Sequence, residues 1–247
     1  MTTHATSDKQ WTEAELDSLT MEGQFRLRGL EVTRLDTFID AAFAFVLTLL
    51  IISFDEIPST YAELMVAIKR IPAFACSFLV LMMFWLRHRR LSRRYGLENS
   101  RTILLSLALV FVMLVYVYPL RILFEAMFYS VSDGYLPSSF RFQSIDEVRG
   151  FFAFYSIGFF AMSLIISELN RAALHNSTSL ALNQFERRIT KVGMQAWAVA
   201  ASVGALVVLL MIVLPDAWVP HTGYVYFVLC FAMRIPGFLD RRRNAEE

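Results

Sequence analysis

Long apolar runs separated by short polar connections dominate the chain after residue 37. A helix needs about 20 mostly apolar residues to cross the hydrocarbon core of a bilayer. Six runs reach or approach this length, and flanking Trp, Tyr and Arg residues extend the shorter ones to the interfaces. The runs cover residues 38–54, 71–86, 103–124, 151–166, 192–214 and 224–238. The pattern predicts an all-α polytopic membrane protein with six transmembrane helices and one six-helix unit per chain.

The basic residues indicate how these helices are oriented. With six spans, the segments on one side of the membrane contain 18 Lys and Arg, in groups of four, six, four and four. The other side contains four, and Arg121 lies within a span. Because positively charged loops stay in the cytoplasm, both termini are predicted to be cytoplasmic. The expected location is the inner (plasma) membrane, crossed several times.

Composition agrees with a lipid environment and excludes several functions. The chain is 56% hydrophobic and 18% charged, whereas soluble domains average about 45–50% apolar and about 25% charged residues. A net charge of +1 provides no field that would attract nucleic acid. Cysteines and histidines are few and scattered, and no hydrolase motif or acidic metal cluster occurs. We therefore expect no enzyme activity, no cofactor and no metal site.

The polar and apolar pattern also suggests three regions. Residues 1–35 are polar, lack the pattern of a signal peptide and have apolar residues at loosely helical spacing, which predicts a cytoplasmic segment with an interfacial helix. Residues 36–240 form the predicted transmembrane domain. Residues 241–247 form a cytoplasmic tail.

Polar residues inside the predicted spans are the first candidates for function, because such residues are expensive in lipid. Asp40 lies about 9 Å along the first helix from Arg34, at 1.5 Å per residue. The topology places Trp85, His88 and Ser106 at a similar depth. We expect one layer in which His88 donates to the Asp40 carboxylate. Such a layer either locks the helices together or forms a proton or ion site.

A second polar pair lies in the third run. Arg121 and Glu125 are four residues apart, so they share one helix face and can form a local ion pair. Snorkelling of Arg121 to the outer interface is the alternative explanation.

The first run also has a large apolar face near the middle of the bilayer. Phe45, Leu49 and Ile52 follow the spacing i, i+4, i+7 and therefore share one side of the helix. Composition alone indicates a packing or lipid-facing surface here.

Parts of spans one to three resemble the transmembrane protein 175 family of potassium channels. The family hallmark R-x-x-x-F-S-D is matched by Arg34, Phe38 and Asp40, and a W-x-x-H element is matched by Trp85 and His88. The number and spacing of the runs are also similar over the rest of the chain. The resemblance is therefore strongest in the first half.

This resemblance implies a homotetramer in the lipid bilayer, with four first helices around a path for potassium ions. Phe45, Leu49 and Ile52 occupy the positions of a hydrophobic constriction, which gates by dewetting. Thr48 matches a polar position associated with potassium preference. The implied function is a passive, potassium-favouring cation channel.

Three residues depart from the family pattern. Ile39 replaces the motif serine and Ser106 stands where asparagine is usual, so the polar layer loses hydrogen-bonding groups. Phe45 replaces an aliphatic residue at the narrowest ring. Two other functions therefore remain open, namely a proton-conducting channel or transporter that uses Asp40 and His88, and a non-conducting membrane scaffold.

Overall fold

Helices make up most of the computed structural model, which describes residues 11–52 and 58–243. A short N-terminal part contains one helix and a two-stranded hairpin. Five long helices and one short one follow, and then a C-terminal set of short helices. The elements are α1 Glu13–Ser18, β1 Met21–Glu22, β2 Phe25–Arg26, α2 Arg34–Ile52, α3 Tyr61–Lys69, α4 Ile71–Tyr95, α5 Ser100–Val131, α6 Ile145–His175 and α7 Gln184–Val213. A 3₁₀ segment Asp216–Val228, α8 Leu229–Ala232 and α9 Ile235–Arg243 complete them.

Among the described residues, four helices are long and apolar enough to cross a membrane. They are α4 together with α3, then α5, α6 and α7. The predicted all-α class and the apolar membrane helices are confirmed. The first predicted run corresponds to the 19 residues of α2, and its last two residues, 53 and 54, lie outside the described part of the chain.

The sixth predicted span differs from the structure. Between residues 216 and 243 the chain forms the 3₁₀ segment, α8 and α9 instead of one continuous helix. Pro236 lies in the first turn of α9, and a proline inside a helix removes a backbone donor and disfavours helical geometry just before it. A hydropathy run therefore overestimated the length of regular helix here.

The long helices pack as neighbours around an aromatic centre. α6 packs along α7 and α5, while α2 and α4 lie against α5. The Phe84 ring of α4 is fully buried, with ring centroids 6.1 Å from Phe159 and 5.3 Å from Trp197. This contact joins α4, α6 and α7 in one core.

The N-terminal segment is less helical than predicted. From residue 11 onward, its helix is limited to the six residues of α1, and a hairpin follows in which Glu22 pairs with Phe25. Gly23 has φ +65°, a conformation that turns require and that other residues rarely adopt. Phe25 is buried, and its ring lies edge-on to Tyr95 at 5.7 Å. The hairpin therefore packs on the end of α4.

A buried ion pair fixes this hairpin to the start of α7. The Arg28 guanidinium donates to both carboxylate oxygens of Glu186, at 2.8 and 3.2 Å, and both side chains are 0% exposed. The guanidinium also donates to the backbone carbonyls of Leu180 and Ala181. The hydropathy pattern gave no sign of this pair, because both residues lie outside the apolar runs.

At the opposite end of the bundle, Arg121 and Glu125 form the ion pair that their spacing predicts. Nε of Arg121 donates to Glu125 at 2.9 Å, and the two residues are 5% and 1% exposed. Snorkelling to the interface is thus the wrong explanation for Arg121. The other carboxylate oxygen accepts the backbone N–H and hydroxyl of Ser139, which ties the loop after α5 to the bundle.

Candidate functional site

The α2 helix has one face that packs inside the chain and one that does not. The buried face consists of Ile39, Phe43, Val46 and Leu50. The other side is exposed and also includes Thr37, Asp40, Ala44 and Ile51. The part of it around Phe45, here called the exposed stripe, consists of Phe38, Ala41, Phe45 and Thr48. At roughly 100° per residue, Phe38, Ala41 and Thr48 lie within about 60° of Phe45, whereas the buried residues lie about 100° to 160° away. The described residues provide no partner for this stripe.

The predicted constriction residues fall on or beside this stripe. Phe45 is 56% exposed, and Thr48 is exposed with its hydroxyl donating to the Phe45 carbonyl at 2.7 Å. Leu49 is half-buried and packs partly against the core, so it lies at the edge of the stripe. Ile52 ends α2 at a position about 20° from Phe45 around the helix, and its side chain lies outside the described part of the chain.

The N-terminus of α2 is held by a polar clamp that sequence reasoning did not identify. The Thr33 hydroxyl accepts the Asp36 N–H at 3.2 Å and donates to the Asp36 carboxylate at 3.1 Å. The other Asp36 oxygen accepts from the Ser92 hydroxyl of α4 at 2.5 Å. A Thr-x-x-Asp pattern before an apolar run is a recognisable helix-start signal. It reveals the local cap but not the contact with α4.

The predicted polar layer forms, but its pairing differs from the expectation. Trp85 donates its indole N–H to Asp40 at 2.8 Å, and Asp40 is exposed. His88 is 6% exposed and its Nε2 lies 2.9 Å from the Ser106 hydroxyl. The expected hydrogen bond from His88 to Asp40 is replaced by these two separate pairs, since His88 faces α5 while Trp85 faces α2. The four side chains hold α2, α4 and α5 together.

A small cavity with both polar and apolar lining residues lies between the clamp and the pair formed by His88 and Ser106. It has a volume of about 30 Å³ and is lined in part by Asp36, His88, Ser92, Thr102 and Ser106. A space of this size accommodates about one or two water molecules where several polar groups face it. The cavity therefore extends the polar contacts at the base of α2 without opening a wide passage.

Two further motif positions have clear structural settings. Ile39, which replaces the motif serine, is 1% exposed within the apolar core. It adds packing between α2 and its neighbours where a hydroxyl would need a partner. Arg34 is exposed at the first position of α2. The motif thus coincides with the first two turns of this helix.

Comparisons with known proteins agree on one family. The sequence profile described as "Endosomal/lysosomal potassium channel TMEM175" matches residues 34–119, from the first residue of α2 into α5. A protein of Marivirga tractuosa named "Potassium channel" is 32% identical over 230 residues, which is 89% of this chain and 92% of that protein.

A solved structure shows the same fold. The crystal structure of a variant of the potassium channel MtTMEM175, in complex with a nanobody–MBP fusion protein, superposes with a TM-score of 0.79. The two sequences are 29% identical, and the match covers 91% of this chain and 100% of that one. The likeness therefore extends well beyond the motif to the C-terminal helices.

Proposed function

The chain belongs to the bacterial TMEM175 potassium channel family, and from this membership we propose that it is a potassium-favouring channel that conducts passively as a homotetramer. In the proposed assembly, four copies of α2 surround the ion path. The chain crosses the inner membrane six times, and the distribution of basic residues favours cytoplasmic termini. The sixth crossing would have to use the broken helices after residue 216.

The main support for a pore on α2 is its exposed apolar stripe. The chain has no internal sequence repeat, so a pore on a symmetry axis requires several copies of one surface. The stripe on α2 is such a surface, because its back is packed into the bundle and its front is left without a partner among the described residues. Its polar base is clamped to α4, which keeps the stripe in a defined orientation.

In this proposal the barrier to ions is a hydrophobic ring at Phe45. Four phenyl groups that converge on an axis exclude water, and a dewetted constriction blocks ions until it widens. Leu49 and Ile52 extend the apolar path by about 10 Å, at 1.5 Å per residue. Thr48 offers a hydroxyl oxygen beside the ring, because donation to the Phe45 carbonyl leaves its lone pairs available to a cation.

Flux measurements with a barrier mutant test the proposal. Purified wild type and Phe45→Ala are reconstituted in liposomes, and potassium influx is compared with sodium influx. We expect potassium-favouring flux in wild type and a several-fold increase in the mutant, because alanine widens the ring and lets water enter. Phe111→Ala is the matched control, since Phe111 lies on α5 with 67% exposure, and it should leave the flux unchanged.

The outcomes separate the competing functions. Absence of flux from folded wild type and Phe45→Ala would favour a scaffold over a channel. Proton flux that Asp40→Asn abolishes, with potassium flux unchanged, would favour the proton relay. That relay has less structural support, because Asp40 and His88 bond to different partners.

A further inference from the structure

Arg87 is a half-buried cation between helices of the bundle. It lies in α4 where that helix meets α6 and α7, and its Nη2 donates to the Asn170 side-chain oxygen at 2.9 Å. A Cβ atom on Gly193 would lie 2.5 Å from this nitrogen, so the guanidinium occupies space that the glycine leaves. Its Nε is buried and has no hydrogen-bond partner among the described residues.

The surroundings of Arg87 do not balance its charge. Among the described residues no carboxylate forms an ion pair with it. Its titratable neighbours are the hydroxyl of Tyr95 and two further cations, Arg94 and Arg90. The two arginines lie seven and three residues further along α4, on the same face. Arg90 is exposed, while Arg94 contacts Glu22 at 3.3 Å. A guanidinium with a buried, unbonded nitrogen is costly unless an anion pairs with it, so this cluster is suited to an anion from outside the chain.

The position of the cluster along α4 favours one kind of anion. Arg87 lies about 24 Å from the first residue of α4, at 1.5 Å per residue. Since the hydrocarbon core is about 30 Å thick, Arg87 lies near its edge and the next two arginines reach the headgroup layer. Exposed apolar residues continue the same face toward the middle of the bilayer. They are Leu79, Met83 and Leu86.

The geometry points to a binding site for the phosphate group of an anionic phospholipid, with Arg87, Arg90 and Arg94 around the headgroup and the apolar part of this α4 face against an acyl chain. Arginine forms charge-assisted, often bidentate, hydrogen bonds with phosphate oxygens. Clusters of basic residues at the cytoplasmic end of a transmembrane helix are typical of attraction to anionic lipid. The site is separate from the exposed stripe of α2, so its occupancy does not depend on conduction.

Binding measurements on the full chain in neutral detergent test this inference. Wild type, Arg87→Gln and Arg89→Gln are titrated with dioctanoyl phosphatidylglycerol, dioctanoyl phosphatidylcholine and inorganic phosphate, with binding followed by native mass spectrometry. Arg89 is the matched control, because it is exposed on the same helix and lies over the Trp85 ring at 5.3 Å. We expect Arg87→Gln to weaken phosphatidylglycerol binding about tenfold, a typical effect of losing a charge-assisted contact, and Arg89→Gln to leave it within twofold.

The inference is overturned if Arg87→Gln binds phosphatidylglycerol as tightly as wild type, or if phosphatidylcholine binds equally well. Competition by millimolar inorganic phosphate at equal affinity would support a phosphate site but assign it to free phosphate instead of lipid. If Arg87→Gln does not fold, Arg87→Lys and Arg90→Gln replace it. Both keep a cation in the cluster and should bind phosphatidylglycerol more weakly than wild type. Unchanged binding in both would also overturn the inference.

Discussion

The buried ion pair between Arg28 and Glu186 allows a quantitative test of how the N-terminal hairpin is held. Both side chains are fully buried, and the carboxylate accepts two bonds from the guanidinium and one from the Arg26 backbone N–H at 2.9 Å. Arg28→Met leaves this carboxylate buried without its cation, which destabilises a protein by about 3–5 kcal/mol. At about 1.4 kcal/mol per factor of ten, the hairpin should detach at least about a hundred times more often.

Hydrogen exchange measures this detachment directly, because local opening exposes specific amides. The Gly29 N–H donates to the Arg93 carbonyl at 3.0 Å and the Leu27 N–H to Thr20 at 2.9 Å. Protection of both amides should fall about a hundredfold in Arg28→Met, in line with the free-energy difference, whereas amides in the middle of α6 should not change. Arg26→Met removes the same charge from a residue that forms no ion pair with the described part of the chain, and it serves as the control.

A double mutant separates the buried charge from the lost contacts. Arg28→Met combined with Glu186→Gln removes the uncompensated charge and should recover part of the protection. Recovery should be incomplete, because the backbone carbonyls to which Arg28 donates still lack a partner. Each lost hydrogen bond costs about 0.5–1.5 kcal/mol of stability. Protection within threefold of wild type in Arg28→Met, or no recovery in the double mutant, would refute this account.

Three further changes have expected outcomes in thermal unfolding or exchange experiments. Gly29→Ala would place a Cβ 2.3 Å from a backbone carbonyl of α4, so it should destabilise the protein by about 1–3 kcal/mol; the same change at Gly150, which has nothing within 4 Å, should not lower the midpoint. Trp85→Phe removes the indole donor to Asp40 and should cost about 1 kcal/mol. Asp40→Asn should then destabilise the protein less in this background than in wild type, and an equal effect in both would contradict this hydrogen bond. Glu125→Gln removes the anion from a buried pair and should destabilise the protein by about 3 kcal/mol or more. Hydrogen exchange in the loop after α5 should become faster, and an unchanged rate would contradict the role of Glu125 in holding this loop through Ser139.

Regular helices were predictable from sequence because hydropathy reports burial in lipid residue by residue. Runs two to five coincide with α4 to α7, and each helix extends past its run because polar turns continue it into the interface. The C-terminal run was not predictable in this way. Average hydropathy does not record the missing donor of Pro236, so a broken segment scores like a continuous one.

The candidate site likewise has a part that the sequence predicts and a part that it does not. Periodicity identified the shared face of Phe45 and Leu49, because helix geometry relates residues four apart wherever they occur. Partners across helices depend on rotation about each helix axis, which sequence spacing does not give. For this reason the depth of His88 was predictable, but its contact with Ser106 in place of Asp40 was not.

The two halves of α2 are held in the bundle by different kinds of contact. The half near Arg34 has hydrogen bonds to α4 through Asp36 and Asp40, so its rotation about the helix axis is restrained. The half beyond Phe43 packs Val46 and Leu50 into the apolar core. Apolar contacts are non-directional, so this half lacks the fixed contact geometry that the hydrogen bonds give to the base. In the proposed channel, an apolar barrier at Phe45 next to a polar clamp would therefore widen by movement of its outer half, while the base stays fixed.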